Sequence, residues 1–348
     1  LKSQHNIIVT FRVKFTHFMI RLDSIKLQVP NEVINSFGSS FISSQSADTN
    51  GVILTDKLTL NNTGYTGFKS FITDRKTNSS TLEVSAKILG ADYIEGINQN
   101  TIQQALETVN KTKHLDINVN RFLDTSTVLR CDVTNNIKPE VFNETFYKTL
   151  AALPIAKKYH IDLFNTKRNL GVVYKGSQKT VRDRIIFYDK TLDIIRDKEF
   201  RNSPYANKLY NDFKGVVRVE SNHSQFKALN KHFGDRSLLT VLKSPVKLNY
   251  NVFSRITDKT TDVNLALFNQ FEGMKFSAIR NYLGDKGIIE LCNNDWQQIE
   301  LFIKVYNTNN YRHFKKHIRA VYNTITAQES KTDLNIINHI KQLLNEAA

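Results

Sequence analysis

Three alternating runs, widely separated in the chain, constrain its fold most: Leu129-Arg130-Cys131-Asp132-Val133, Ile185-Ile186-Phe187-Tyr188-Asp189-Lys190 and Val217-Arg218-Val219-Glu220. Each is rich in β-branched or aromatic residues, with polar ones recurring at every second place. That is the pattern of a strand with one face in a core. Side chains two apart share a face of a sheet. Tyr188 therefore falls with Lys190, Arg130 with Asp132, and Arg218 with Glu220.

The rest of the first 240 residues or so continues in this style. Ile20 to Val29 reads as a strand ended by Pro30, and Thr81 to Ser85 as another with Glu83 on its polar face. Residues 36–80 mix Ser, Asn, Gly and Thr with short apolar runs, the signature of hairpins and loops. Ile102, Ala105, Leu106 and Val109 recur at three-and-four spacing and predict a helix over 101–109. Pro139 is expected to open a second helix that ends at Leu153, before Pro154. Leu170 to Lys179 enters a Gly-containing turn and continues into Val181 to Lys190, a hairpin whose second arm holds Tyr188. Beyond Pro245 the spacing turns helical, with Gly284 a faint candidate for the turn of a helix-turn-helix. The expected class is α+β: an antiparallel or mixed sheet with covering helices, then a mostly helical C-terminal region.

Charge narrows the partners. The chain has 48 basic against 33 acidic residues, a net charge of +15, and a pI near 9.6. That balance favours a polyanion, nucleic acid first. Two cysteines, Cys131 and Cys292, make no disulfide framework and no C-x-x-C metal motif, which suits a reducing cytoplasm. No apolar run is long enough to cross a bilayer. Residues 1–18 precede the first methionine, Met19. They read as an N-terminal extension of unclear status, and a start on Leu1 leads us to expect upstream sequence.

A tyrosine, two carboxylates and several cations on adjacent strands suit phosphodiester cleavage. A phenolate attacks phosphorus and later leaves it, conserving the bond energy. At an ordinary pKa only about one phenol in a thousand is ionised at neutral pH, so a cation, a metal or both must assist. Lys190 is placed to steady the phenolate. Asp132 and Glu220, with Glu83 as a third acid, are candidate ligands for Mg²⁺ or Mn²⁺, hard ions that prefer carboxylate oxygen. Arg130, Lys179, Arg182, Arg184 and Arg218 are candidate contacts to DNA phosphates. None of the nine histidines forms a His-hydrophobe-His motif, which leaves carboxylates as the ligands. Tyr174, in Val172-Val173-Tyr174-Lys175, shares the local context of Tyr188, and spacing alone does not choose between them.

Taken in order, Met19 to Pro30, Leu82 to Gly90, Leu129 to Asp132, Phe187 to Lys190 and Val217 to Glu220 resemble the gene II/gene X replication initiators of filamentous phages. They are more distantly similar to rolling-circle plasmid initiators. The resemblance covers roughly residues 19–235. It implies that Tyr188 is the nicking nucleophile, that Asp132 and Glu220 bind metal, and, less directly, that Glu83 joins them. On this reading residues 19–245 form the nicking domain and 246–348 a helical, DNA-binding domain. The expected activity is nicking one strand of a duplex origin through a 5′-phosphotyrosine, then rejoining after a round of synthesis. Duplex origin DNA, single-stranded DNA and a host helicase and polymerase are the expected partners, in a bacterial cytoplasm. No Walker loop is present, so unwinding falls to the host enzyme. In the C-terminal region Lys275, Arg280, Lys304, Arg312, Lys315, Lys316 and Arg319, with His313 and His317, are further candidates for phosphate contacts. The alternative is a non-catalytic, sequence-specific DNA-binding initiator in which Tyr188 is structural.

Overall fold

The computed structural model describes residues 20–61, 63–140, 142–153, 155–166, 169–177, 183–258, 273–306, 311–328 and 336–347. The extension 1–18 and the turn residues Lys179 and Arg182 lie outside the described residues. The chain divides into two compact units, one of residues 1–138, 157–256 and 342–348, the other of 139–156 and 257–341.

Among its described residues the first unit has twelve strands: β1 (Leu22–Pro30), β2 (Ile34–Phe37), β3 (Ile42–Ala47), β4 (Ile53–Leu60), β5 (Phe68–Asp74), β6 (Ser79–Ser85), β7 (Leu115–Ile117), β8 (Thr127–Ile137), β9 (Tyr159–Thr166), β10 (Asn169–Gly176), β11 (Arg184–Asp189) and β12 (Val217–His223). Ten of them form one sheet in the order β3-β4-β5-β6-β1-β8-β12-β11-β10-β9, and β2 pairs with β7. Every pairing is antiparallel. The protein is thus α+β, its three alternating runs being β8, β11 and β12, which are neighbours at the centre of the sheet.

A bulge in β1 sets the polar geometry. Leu22 and Ile25 are both buried, a spacing of three in a strand whose period is two. Leu22 pairs with Val133 and Ser24 with Asp132, so Asp23 is the extra residue. One inserted residue lets two consecutive side chains share a face. Asp23 and Ser24 accordingly both bond to polar partners, while Leu22, Ile25, Leu27 and Val29 stay in the core.

Helices close the unit. Ile102–Lys111 buries Ile102, Ala105, Leu106 and Val109, the stripe that its spacing predicts. Leu248–Ile256 packs Phe253 edge-on against Phe187 and Tyr174, so this unit continues past Pro245, beyond the boundary expected from sequence. Asn249 in the same helix donates to the Val133 and Val219 carbonyls at 3.2 and 3.0 Å, tying β8 and β12 together. The 3₁₀ segment Ala86–Glu95 and the helices Lys190–Arg196, Lys198–Arg201 and Ala206–Phe213 carry Tyr93, Phe200 and Phe213.

The second unit is helical. Its first helix runs over Glu144–Ala151 and begins later than Pro139 suggests, because the Asn143 side chain caps it by accepting from the Phe146 N–H. Phe276–Leu291 is one continuous helix, and Gly284 and Gly287 lie inside it, so Gly284 is not a turn. Trp296–Tyr306 and Tyr311–Gln328 follow. Ile289, Cys292, Ile299, Ile303, Ile318 and Val321 make a core shared by these three helices.

Candidate active site

Tyr188 lies opposite Arg218 in the β11–β12 ladder, and Arg218 lies opposite Asn136 in the β12–β8 ladder. Partners across an antiparallel pair share a face. That face carries Tyr188 and Glu220 together. The Tyr188 hydroxyl donates to Glu220 Oε1 at 2.7 Å, and Lys190 Nζ stands 3.5 Å from the same hydroxyl.

Lys190 reaches this point from a different element than its spacing implies. Asp189 ends β11 and caps the next helix by accepting from the Leu192 N–H at 3.0 Å, so Lys190 is the first helical residue. Its ammonium pairs with Asp193 at 2.5 Å and lies over the rings of Tyr93 and Tyr188, 4.9 and 5.4 Å from their centroids.

Arg218 is the hub. Only 1 % of its side chain is exposed, and it pairs with Asp23 at 2.6 Å and stands 4.0 Å from Glu220. It also donates to the Tyr93 hydroxyl at 2.9 Å and to Asn136 Oδ1 at 3.0 Å. Tyr93 in turn donates to Asp23 at 3.0 Å and stacks on Phe200 with centroids 5.1 Å apart. A guanidinium sealed under aromatic rings, with Nε and Nη1 donating to Asn136, Asp23 and Tyr93, cannot grip DNA. Arg218, expected as a phosphate contact, is instead the internal cation that fixes the carboxylates around Tyr188.

Burial and charge tune the titratable groups in opposite directions. Burial, then the Asp23 charge, pushes the Glu220 carboxyl up to about 7. At Asp23 burial works against the charge, but Arg218, Lys190 and the Tyr93 hydroxyl outweigh it and hold the carboxyl below the usual range. Burial, with Glu220 next, raises the Tyr188 phenol well above its ordinary value. Burial, followed by the repulsion of Arg218, lowers the Lys190 ammonium. The two acids on one face are therefore pushed apart, the arrangement in which one stays ionised while the other exchanges a proton near neutrality.

The remaining candidates fall into two groups. Asp132 accepts from Ser24 and Asn222 and pairs with Arg130 at 3.5 Å. Glu83 pairs with Arg130 at 3.3 Å and Lys69 at 3.8 Å. Arg130 is thus engaged by two acids. Among the described residues no three acids, histidines or cysteines are gathered to hold a metal, and Glu83 does not join Glu220. Asp132 and Glu220 are diagonal neighbours on one face, because Glu220 pairs with Thr134 and Asn222 with Asp132. Thr134, opposite Glu220 and two residues from Asp132, has a buried hydroxyl with no hydrogen-bond partner among the described residues.

Arg184 is exposed at the far end of β11, beside a cleft lined by Asp183, His223, His232 and Arg255. Tyr174 pairs with Ile185, so it sits on the face opposite Tyr188. It is fully buried against Phe187 and Phe253. The structure brings Tyr188, not Tyr174, to the acids.

Sequence reasoning did not single out Asp23, Tyr93 or Asn136. Only Asp23 left a trace, in the three-residue step from Leu22 to Ile25. No protein-family model, curated protein or solved structure matches the chain.

Proposed function

We propose that this chain cuts and rejoins DNA strands, with Tyr188 as nucleophile, and acts as a rolling-circle replication initiator that nicks its origin. The observation that carries this reading is the 2.7 Å hydrogen bond from the Tyr188 hydroxyl to Glu220, in a half-buried site also held by Lys190 and Arg218. A merely structural tyrosine does not need a carboxylate tuned toward neutrality or a buried ammonium beside its oxygen.

In the proposed step Glu220 takes the phenolic proton as Tyr188 Oη bonds to phosphorus. The bond from phosphorus to the 3′ oxygen breaks, and the proton on Glu220 passes to that oxygen. Lys190 stabilises charge on the phenolic oxygen, and Arg218 holds Asp23 and Glu220 in place. The products are a 5′-phosphotyrosine and a free 3′ hydroxyl. The reverse sequence reseals a strand without ATP, since the ester stores the energy of the broken bond.

Glu220 and Asp132, diagonal neighbours on this face, are the residues that would hold Mg²⁺ or Mn²⁺. Such ions use one or two carboxylates with waters and a substrate phosphate. The ion would supply polarisation of the scissile phosphate. Glu83 is left out of this set.

The test is nicking of supercoiled origin DNA by wild type and Tyr188→Phe. Loss of nicking with DNA binding retained supports the proposal. Replication in cells that is unaffected by Tyr188→Phe would favour the non-catalytic initiator.

A further inference from the structure

The helix Tyr311–Gln328 has a composition that the site around Tyr188 does not use. Over 18 residues it holds Arg312, His313, Lys315, Lys316, His317 and Arg319 and no acid. One face is apolar: Ile318 and Val321 are buried with Ile289, Cys292, Ile299 and Ile303. The other face is cationic and open. Arg312, Lys316 and Arg319 are exposed and spaced four and three apart, which puts them in one stripe along the helix.

The members of the stripe are held differently. Arg319 lies over the Trp296 ring at 4.0 Å. Lys315, at the edge of the stripe, is neutralised by Glu300 at 2.7 Å. Arg312 and Lys316 have no acidic partner among the described residues. A single-sign stripe left unpaired repels itself, and it is relieved by a polyanion.

Two observations choose the polyanion. Among the described side chains of this helix none is a large exposed apolar one, so the described face offers nothing to insert into a lipid boundary. The helix is the last of three packed around one core and follows Trp296–Tyr306 after only four residues, 307–310. An exposed basic helix backed by two others presents a face whose width suits the major groove.

We propose that the exposed face of Tyr311–Gln328 binds duplex DNA, with Arg312 and Lys316 on backbone phosphates. This does not depend on the role of Tyr188, because every residue invoked belongs to the second unit.

The experiment compares the full chain with its Arg312→Gln/Lys316→Gln variant, both substitutions being at exposed positions. Binding to a fluorescent 20-base-pair duplex, to its single strand and to phosphatidylglycerol vesicles is measured from 50 to 200 mM KCl. Each lost phosphate contact removes about 0.9 from the slope of log affinity against log salt. The variant's loss of affinity over that range should therefore be about 12-fold smaller than wild type's, for duplex DNA. An unchanged duplex slope overturns the proposal. So does an effect confined to the single strand or to the vesicles.

Discussion

Replacing Glu220 by Gln should stabilise the protein at alkaline pH while stopping cleavage. The folded state raises this carboxyl from an ordinary value of 4.5 to about 7, so it holds the proton more tightly than the unfolded chain does. Stability from this group is complete below about pH 4.5 and is lost as pH rises through about 7. At about 1.4 kcal/mol per pH unit, the loss between pH 5 and pH 8 is roughly 2–3 kcal/mol. Asp23 is shifted the other way, and its contribution is already complete below this window. Gln keeps an oxygen for the Tyr188 hydroxyl and has no proton to lose. Urea denaturation at pH 5 and pH 8 should show the variant gaining roughly 2–3 kcal/mol on wild type between the two. Cleavage should fall by about 10² to 10⁴, the usual worth of a general base. Parallel pH profiles for the two proteins, or cleavage at the wild-type rate, would refute the placement of a tuned base at residue 220.

Arg218→Leu removes the one partner shared by Asp23, Tyr93 and Asn136 and leaves the half-buried Asp23 carboxylate without its ion pair. It should destabilise by about 3–5 kcal/mol in a denaturant titration, and Asp23→Asn in the same background should recover part of the loss. Gly171 lies opposite Tyr188, and a Cβ there would meet the Phe187 carbonyl at 2.4 Å and the Phe164 ring at 2.5 Å. Gly171→Ala should therefore cost about 1–3 kcal/mol and slow cleavage, by forcing β10 away from β11; unaltered thermal melting and kinetics would contradict this. Excess chelator should halt cleavage and Mg²⁺ or Mn²⁺ should restore it. Asp132→Ala should raise the ion concentration needed for half-maximal rate without changing the affinity for DNA, whereas Glu83→Ala should leave that concentration unchanged.

The strands that carry Tyr188 and Glu220 were legible because their alternation is local. Val217-Arg218-Val219-Glu220 shows its two faces within four residues, and Tyr188 and Glu220 follow from it once β11 and β12 are neighbours. What was not legible depends on register and on distant packing. Tyr174 and Tyr188 share a local context, and only the pairing of Tyr174 with Ile185 puts them on opposite faces. Arg218 reads as a surface cation in the sequence, because nothing near it announces that Tyr93, about 125 residues earlier, will cover it. Lys190 was assigned the right neighbour for an incomplete reason: it reaches Tyr188 from a helix start capped by Asp189. Pro245 looked like a boundary, yet Val252 and Phe253 are buried in the first unit. The acids pair in the structure as Asp23 and Glu220 around Arg218, and Glu83 and Asp132 around Arg130, groupings that the spacing alone does not show.

The central claim is that the Tyr188 oxygen forms the bond to phosphorus. Its most direct measurement is mass spectrometry of peptides from protein incubated with a single-stranded origin oligonucleotide and Mg²⁺, then denatured before rejoining. The expected result is a nucleotide adduct on the peptide containing Tyr188, absent from Tyr188→Phe. Cleaved DNA with no adduct, or an adduct on another residue, would contradict it.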